Sequence, residues 1–219
     1  MGVKERQERE REAVSRAILD AARELFVTHG YHEVSIRKIA DRIEYSPAAI
    51  YGYFPSKDDI FFALAEEGFR LLCSSTSDHH SPTDAVDAIR QPFLHVYEFS
   101  KSHPEYFALM FLDRTVPKIS KDWSRFGFVK DLRFEVDRII QSAIDGGHFP
   151  AGISAELVFR VLLTAIQGAA VSRLCDRMAF GADADAIARD TLEAALTGLR
   201  AGFPVTSQPA PCEDSAHHQ

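Results

Sequence analysis

The stretch SPAAIYGYFPSKDD, residues 46–59, carries side chains suited to binding phosphate groups. Tyr51 and Tyr53 have hydroxyl groups that can donate hydrogen bonds to phosphate oxygens. Lys57 adds a positive charge beside the start of a further helix, where backbone N–H groups also attract anions. These residue types predict contact with a nucleic-acid backbone.

Two short helices are expected to position these side chains. Ser35 can cap a helix over residues 36–43, and Ser46 can cap another over 47–54, which begins with a proline. A tight turn joins the two. This spacing is typical of a helix-turn-helix, whose second helix enters the major groove of DNA with its N-terminal residues foremost.

The residues at the start of the second helix fit base recognition. Pro47 and Ala48 present small apolar surfaces to base edges, such as a thymine methyl group. Arg37, on the preceding helix, can reach a guanine edge or a phosphate. The alternative is a small three-helix subdomain whose tyrosines only pack.

Residues 17–64 resemble the DNA-binding domain of TetR-family transcription regulators. The matching pieces are AARELF-x-x-x-G-Y (21–31), S-I-R-x-I-A (35–40) and S-x-x-x-I-Y-x-Y-F-x-S-K-x-x (46–59). The resemblance covers about a quarter of the chain, but the order and spacing of its parts make it specific. It implies an all-helical homodimer that binds a palindromic DNA operator, usually as a repressor.

The resemblance also implies roles for single residues. It places Tyr51, Tyr53 and Lys57 on phosphate-contacting positions, and other residues on positions that touch the backbone or the bases. The candidate DNA-binding residues are Ser35, Arg37, Ser46, Pro47, Ala48, Tyr51, Tyr53 and Lys57.

Glu44 departs from the family pattern, which usually has a glycine two residues before the serine cap. If this residue adopts a positive φ, glutamate costs on the order of 1 kcal/mol there. Its negative charge would also lie near the DNA backbone. We expect the turn to form, with Tyr45 as its inner anchor.

Helical spacing of apolar residues recurs along the chain and predicts an all-α fold of about nine helices. The segment 4–13 is expected to extend the first helix as a solvated end, although a basic arm that reaches DNA is an alternative. The predicted organisation is a DNA-binding domain (1–57), a helical sensing and dimerisation domain (58–204) and a disordered tail (205–219).

Charge and cysteine content agree with this organisation. Residues 1–57 hold 10 basic and 9 acidic side chains, whereas residues 58–219 hold 15 and 23, which leaves the acidity away from the expected DNA-binding domain. Three widely spaced cysteines predict reduced thiols in a cytoplasmic protein. No apolar run approaches the length that spans a bilayer.

Aromatic residues are concentrated between positions 93 and 134, where ten occur in 42 residues. A helical core explains most of them; an apolar pocket with a few polar groups is the functional interpretation. Family resemblance supports such a pocket for a small apolar effector. The candidate lining residues are Phe93, Tyr97, Phe107, Phe111, Arg114, Trp123, Phe126 and Gln167.

Small residues recur on the two final helices and predict close helix packing. The resemblance implies that these helices form a four-helix bundle across a homodimer; tight packing inside one chain is the alternative. The residues are Ala165, Gly168, Ala169 and Ser172 on one helix, and Ile187, Thr191, Ala194 and Gly198 on the other.

These patterns predict a ligand-responsive DNA-binding regulator without a cofactor or metal. One alternative is a DNA-binding protein of the same fold that uses its bundle for protein partners. Another is an enzyme that retains the bundle, for which scattered His95, Asp113 and Arg114 offer little. Asp78-His79-His80 on a Ser-rich loop is a weak metal candidate, because no third ligand can be named.

Overall fold

The computed structural model describes residues 2–74, 82–113, 115–117, 125–178 and 183–202. Within these ranges the chain forms nine α-helices and no strand, which confirms the predicted fold class. The helices are α1 (Val3–His29), α2 (Ile36–Arg42), α3 (Pro47–Tyr51), α4 (Lys57–Ser74), α5 (Ala85–Ser102), α6 (Pro104–Phe111), α7 (Gly127–Asp145), α8 (Ala155–Leu174) and α9 (Ala184–Arg200). The predicted tail and the Asp78-His79-His80 segment lie outside the described residues.

Local sequence signals explain most helix ends. Gly30 ends α1 with φ of 82°, and its N–H donates to the Phe26 carbonyl at 2.8 Å. Helix α3 is shorter than the predicted 47–54. It ends at Tyr51, and the following N–H groups of Tyr53 and Phe54 both reach back to the Ile50 carbonyl, at 2.9 and 3.0 Å. The chain therefore tightens into a turn after one and a half helical turns.

The N-terminal segment 4–13 is part of α1, and each of its residues is exposed. Its exposure fits both the expected solvated helix end and the alternative of a basic arm that reaches DNA.

The chain divides into two compact units. The first comprises Met1–Asp78 and Glu98–Lys130; within it α1 packs against α2, α4 and α6, and α2 packs against α3. The second comprises His79–Tyr97 and Asp131–Gln219; within it α8 and α9 form the most extensive helix pair. The division predicted at residues 57/58 concerns function and stays a prediction.

Helix α8 is the most apolar long helix among the described residues. The helix has 20 residues, and an 18-residue window of it has a mean hydropathy of 1.5, so it is long and apolar enough to cross a membrane by length and composition. The expectation that no run reaches this length is therefore wrong. A buried helix of a soluble protein passes the same test, and 33% of the 18-residue window is buried within the chain.

Candidate nucleic-acid interface

The helices α2 and α3 have the helix-turn-helix arrangement that the spacing predicts. Ile36, Ile39 and Ala40 form a buried stripe on α2, and Ile50 is the buried residue of α3. Since α3 has only five residues, it cannot be stable alone. Its packing on α2 and the hydrogen bonds at its ends hold it in place.

Glu44 lies in the turn with φ of 59°, the left-handed conformation that favours glycine. The N–H of Tyr45 donates to the Ala40 carbonyl at 3.0 Å, and the N–H of Glu44 donates to the Asp41 carbonyl at 3.4 Å. These two bonds form a Schellman motif at the end of α2. The conditional expectation of a positive φ is thus met.

Tyr45 does not anchor this turn on the inside. Its side chain is 44% exposed, so the expectation of an inner anchor is wrong. The Schellman hydrogen bonds and the buried residues of α2 stabilise the turn instead. Tyr45 lines a surface groove together with Tyr53 and the first turns of α1.

Two of the candidate residues act as helix caps. The Oγ atoms of Ser35 and Ser46 accept hydrogen bonds at 3.2 Å from the N–H groups of Lys38 and Ala49. Each hydroxyl is still able to donate its own hydrogen to a phosphate. The caps fix the directions of α2 and α3, and the local sequence was sufficient to predict them.

The other candidate DNA-binding residues on and around α3 differ in their exposure to solvent. Arg37 on α2 and Ala48 at the start of α3 are exposed, and Tyr51 is 55% exposed. Pro47 and Tyr53 are half-buried. An exposed tyrosine of this kind on so short a helix gains little from packing, which favours a contact outside the chain.

Lys57 has a structural role that the sequence did not predict. Its Nζ donates to the carbonyl oxygens of Tyr31 and Val34, each at 2.9 Å, and lies 4.1 Å from the centre of the Tyr31 ring. Burial lowers the pKa of Lys57, against the opposing effect of Asp58 and Glu33. One of its three N–H donors is left for a phosphate.

The turn between α1 and α2 is held at Tyr31 by three charged side chains, which we call the turn clamp: Lys57, Asp58 and Asp113. The Tyr31 hydroxyl donates to Asp58, and the Tyr31 backbone N–H donates to Asp113 Oδ2 at 2.8 Å. Burial raises the pKa of the Tyr31 phenol, and the hydrogen bond to Asp58 raises it further. Because Asp113 follows α6, the clamp ties that helix directly to the start of the helix-turn-helix.

Comparison with known proteins agrees with this geometry. The family model for bacterial regulatory proteins of the tetR family matches residues 18–64. Residues 18–64 therefore carry the DNA-binding domain of the TetR family.

Sequence relatives of this chain include two repressors. An HTH-type transcriptional repressor of Mycobacterium tuberculosis is 44% identical over 62 residues, which are 28% of this chain and a third (33%) of the relative. The HTH-type transcriptional repressor AcnR of Corynebacterium efficiens is 25% identical over 183 residues, which cover 84% of this chain and 90% of the relative.

Solved structures show the same fold. The fatty acid degradation regulator FadR of Bacillus halodurans superposes with a TM-score of 0.64 at 18% identity, covering 85% of this chain and 96% of that one.

A series of ring contacts runs through the first unit, from the turn clamp along α4 to α6. Neighbouring ring centres lie 4.9–6.2 Å apart, in tilted or edge-to-face arrangements that aromatic pairs favour. We call it the aromatic series. In order of contact it comprises Phe26, Tyr31, Phe61, Phe62, Phe126, Phe69, Phe111 and Phe107.

The predicted pocket residues fall into separate groups. Phe107, Phe111 and Phe126 belong to the aromatic series of the first unit. In the second unit, the Phe93 ring lies 5.6 Å from that of Phe159, and the Tyr97 hydroxyl donates to Asp185 at 3.1 Å. Gln167 on α8 is half-buried. Arg114 and Trp123 lie outside the described residues, so the pocket stays a prediction.

Within the described ranges, no group of three His, Cys, Asp or Glu side chains is placed to hold a metal ion.

Proposed function

We propose that this TetR-family protein is a homodimeric transcriptional repressor that binds a palindromic operator and releases it when a small apolar molecule binds. The observation that carries the proposal is the capped, exposed α3 held on α2, with Ala48 and Tyr51 facing outward. The names of the two repressor relatives support repression. The protein would act in the cytoplasm.

On DNA, α3 would serve as the recognition helix. Pro47 and Ala48 would touch base edges, while Tyr51 and Tyr53 would donate hydrogen bonds to phosphates. Ser35, Arg37 and Ser46 would bind the backbone beside the groove. Lys57 would contribute its remaining N–H to a phosphate while it keeps the α1–α2 turn in place.

The homodimer would use α8 and α9. Helix α8 is strongly apolar, and its Val161, Leu163 and Val171 are only half-buried within the chain, which favours a second copy as their cover. Gly168 and Gly198 have open space where a side chain would stand, and Ile187 is 38% exposed. Ala169 of the predicted stripe is buried within the chain itself. A two-fold axis through this face would match a palindromic operator.

Ligand release would act through the turn clamp. A molecule that favours a different packing of Phe107, Phe111 and Phe126 shifts α6, and with it Asp113. Asp113 holds the Tyr31 N–H, so the shift moves the start of the helix-turn-helix. Ligand and DNA must then weaken each other's binding by the same factor.

A selection of bound duplexes from a random pool, followed by anisotropy titration of the selected duplex, tests DNA recognition. We expect a palindromic consensus, and dodecanoate as a probe of the apolar pocket should reduce affinity for it. Failure to enrich any sequence would refute operator binding. Tight binding that dodecanoate and other small apolar probes leave unchanged would refute ligand release.

The second candidate is a TetR-family DNA-binding protein that senses no small molecule. The favouring observation is that Phe93, Phe107 and Phe126, three of the predicted pocket residues, are at most 1% exposed and pack against other rings or buried core. Thermal-shift measurement distinguishes the two, because a ligand that binds only the folded state raises the melting temperature.

A further inference from the structure

The first turns of α1 form one wall of a surface groove beside the recognition helix. The groove has a volume of about 740 Å³, and Tyr45 and Tyr53 line its opposite wall. Lys4, Gln7 and Arg11 lie on the α1 side. Since they are spaced three and four residues apart, they share one face of the helix.

Arg11 joins this helix face to the end of α3. Its guanidinium donates to the carbonyl of Gly52 at 3.5 Å, and its Cζ lies 5.4 Å from the centre of the Tyr53 ring. Gly52 caps the C-terminus of α3, and Tyr53 is a candidate phosphate contact. A positive charge is therefore held next to the place where a DNA strand would leave the recognition helix.

We infer that Lys4, Gln7 and Arg11 extend the DNA interface by binding the phosphate backbone beyond Tyr53. This inference rests on the proposed DNA-binding function. Lys4 and Arg11 lie about 10 Å apart along the helix axis, the axial length of about three successive phosphates of one strand. Lysine, glutamine and arginine are donors that contact phosphates without reading sequence.

Acidic side chains in the same groove oppose the binding of phosphates. Glu8 and Glu10 also line the groove. Glu10 accepts a hydrogen bond from Arg6 at 3.4 Å, which offsets its charge. Glu8 would oppose a phosphate, so its removal should strengthen DNA binding.

The test is the salt dependence of DNA affinity for the full chain, measured by anisotropy with a fluorescent 30-base-pair duplex of arbitrary sequence. Affinity falls as salt rises, and Arg11→Ala and Lys4→Ala should each make this dependence of log affinity on log salt shallower by about 0.9. Each variant should also bind about fivefold more weakly at 150 mM salt. Glu8→Gln should raise the affinity.

Matched controls lie on the same helix outside the groove. Arg9→Ala removes the same charge as Arg11→Ala, and Glu12→Gln removes the same charge as Glu8→Gln. Neither control should change the slope. Equal effects of Arg9→Ala and Arg11→Ala would overturn the inference, because net charge alone would then explain both.

The outcomes separate this inference from its alternatives. If Arg11→Ala weakens binding with an unchanged slope and Lys4→Ala has no effect, Arg11 only braces α3 and the inference is wrong. If the unmodified protein binds neither this duplex nor any selected one, the proposed DNA-binding function itself is wrong.

Discussion

Replacement of Glu44 by glycine should stabilise the protein, because Glu44 has a φ of 59° in the turn between α2 and α3. The left-handed conformation costs a non-glycine residue roughly 1–2 kcal/mol. Glycine loses roughly 0.5–1 kcal/mol more backbone entropy on folding. The net gain is on the order of 0.5–1 kcal/mol, which corresponds to a rise of about 1–4 °C in melting temperature for a chain of this size.

The same replacement should also strengthen DNA binding. Glu44 is exposed beside α3, so a bound duplex would bring phosphates near its charge. At about 8 Å in water, two unit charges repel by about 0.5 kcal/mol, and salt screens part of this. The expected gain in affinity is about twofold at low salt.

Two controls separate the backbone effect from the charge effect. Glu44→Gln removes the charge but keeps a side chain at positive φ, so it should raise affinity without raising the melting temperature. Asp176→Gly, at the end of α8, relieves a φ of 49° in an equivalent Schellman turn, where Arg177 N–H reaches the Ser172 carbonyl at 2.9 Å. It should stabilise the protein without changing DNA affinity.

Differential scanning calorimetry measures the melting temperature, and anisotropy titration measures the DNA affinity. If Glu44→Gly lowered the melting temperature while Asp176→Gly raised it, the strain argument for Glu44 would be refuted. If Glu44→Gln left DNA affinity unchanged at low salt, the charge of Glu44 would lie too far from the duplex, and the placement of this turn beside DNA would be wrong.

Three further predictions follow from the clamp and the dimer face. Lys57→Met leaves the buried carbonyl groups of Tyr31 and Val34 without their donor. It should lower the free energy of unfolding, measured in urea, by about 1–3 kcal/mol and also weaken DNA binding. An unchanged unfolding midpoint would contradict the clamp. Burial raises the pKa of Asp113, but hydrogen bonds from Thr115 and from the Tyr31 N–H outweigh burial and lower it. The stability that Asp113 contributes is therefore present above about pH 4 and lost as the pH falls through its lower folded-state pKa. The loss of unfolding free energy caused by Asp113→Asn should therefore shrink between pH 6 and pH 3. A loss that stays constant with pH would contradict the role of Asp113 in the clamp. Ile187→Glu should convert the dimer to a monomer in analytical ultracentrifugation. The control Phe134→Glu, at a residue of α7 that is 67% exposed, should leave the dimer intact. If both variants remained dimers, the α8–α9 face would not be the dimer interface.

Local signals made the helix-turn-helix predictable. Ser35, Ser46 and Gly30 act within four residues of their own positions, so the sequence was enough to predict their roles. The positive φ of Glu44 was also foreseeable, because a glycine usually stands there in the family. The expectation of an inner anchor is wrong for the exposed Tyr45, because an aromatic residue in a turn has no local signal for whether it faces the core or the solvent.

The turn clamp could not be predicted from local patterns. Asp113 binds Tyr31 across 82 residues, and Lys57 binds the Tyr31 carbonyl across 26. Such pairs depend on how α4 and α6 pack on α1, which periodicity does not specify. Aromatic density predicts the pocket residues, but density does not distinguish a packed core from a cavity.

The central claim is that α3 reads base sequence while the surrounding residues bind phosphate. Selection from a random DNA pool, carried out in parallel for the unmodified protein, Ala48→Ser and Tyr51→Phe, tests it most directly. We predict a palindromic consensus with half-sites one helical turn apart, about 10 base pairs. Ala48→Ser should change the preferred bases, and Tyr51→Phe should weaken binding to all sequences equally with the consensus unchanged. A consensus that is identical for Ala48→Ser, or altered only by Tyr51→Phe, would contradict the assignment of α3.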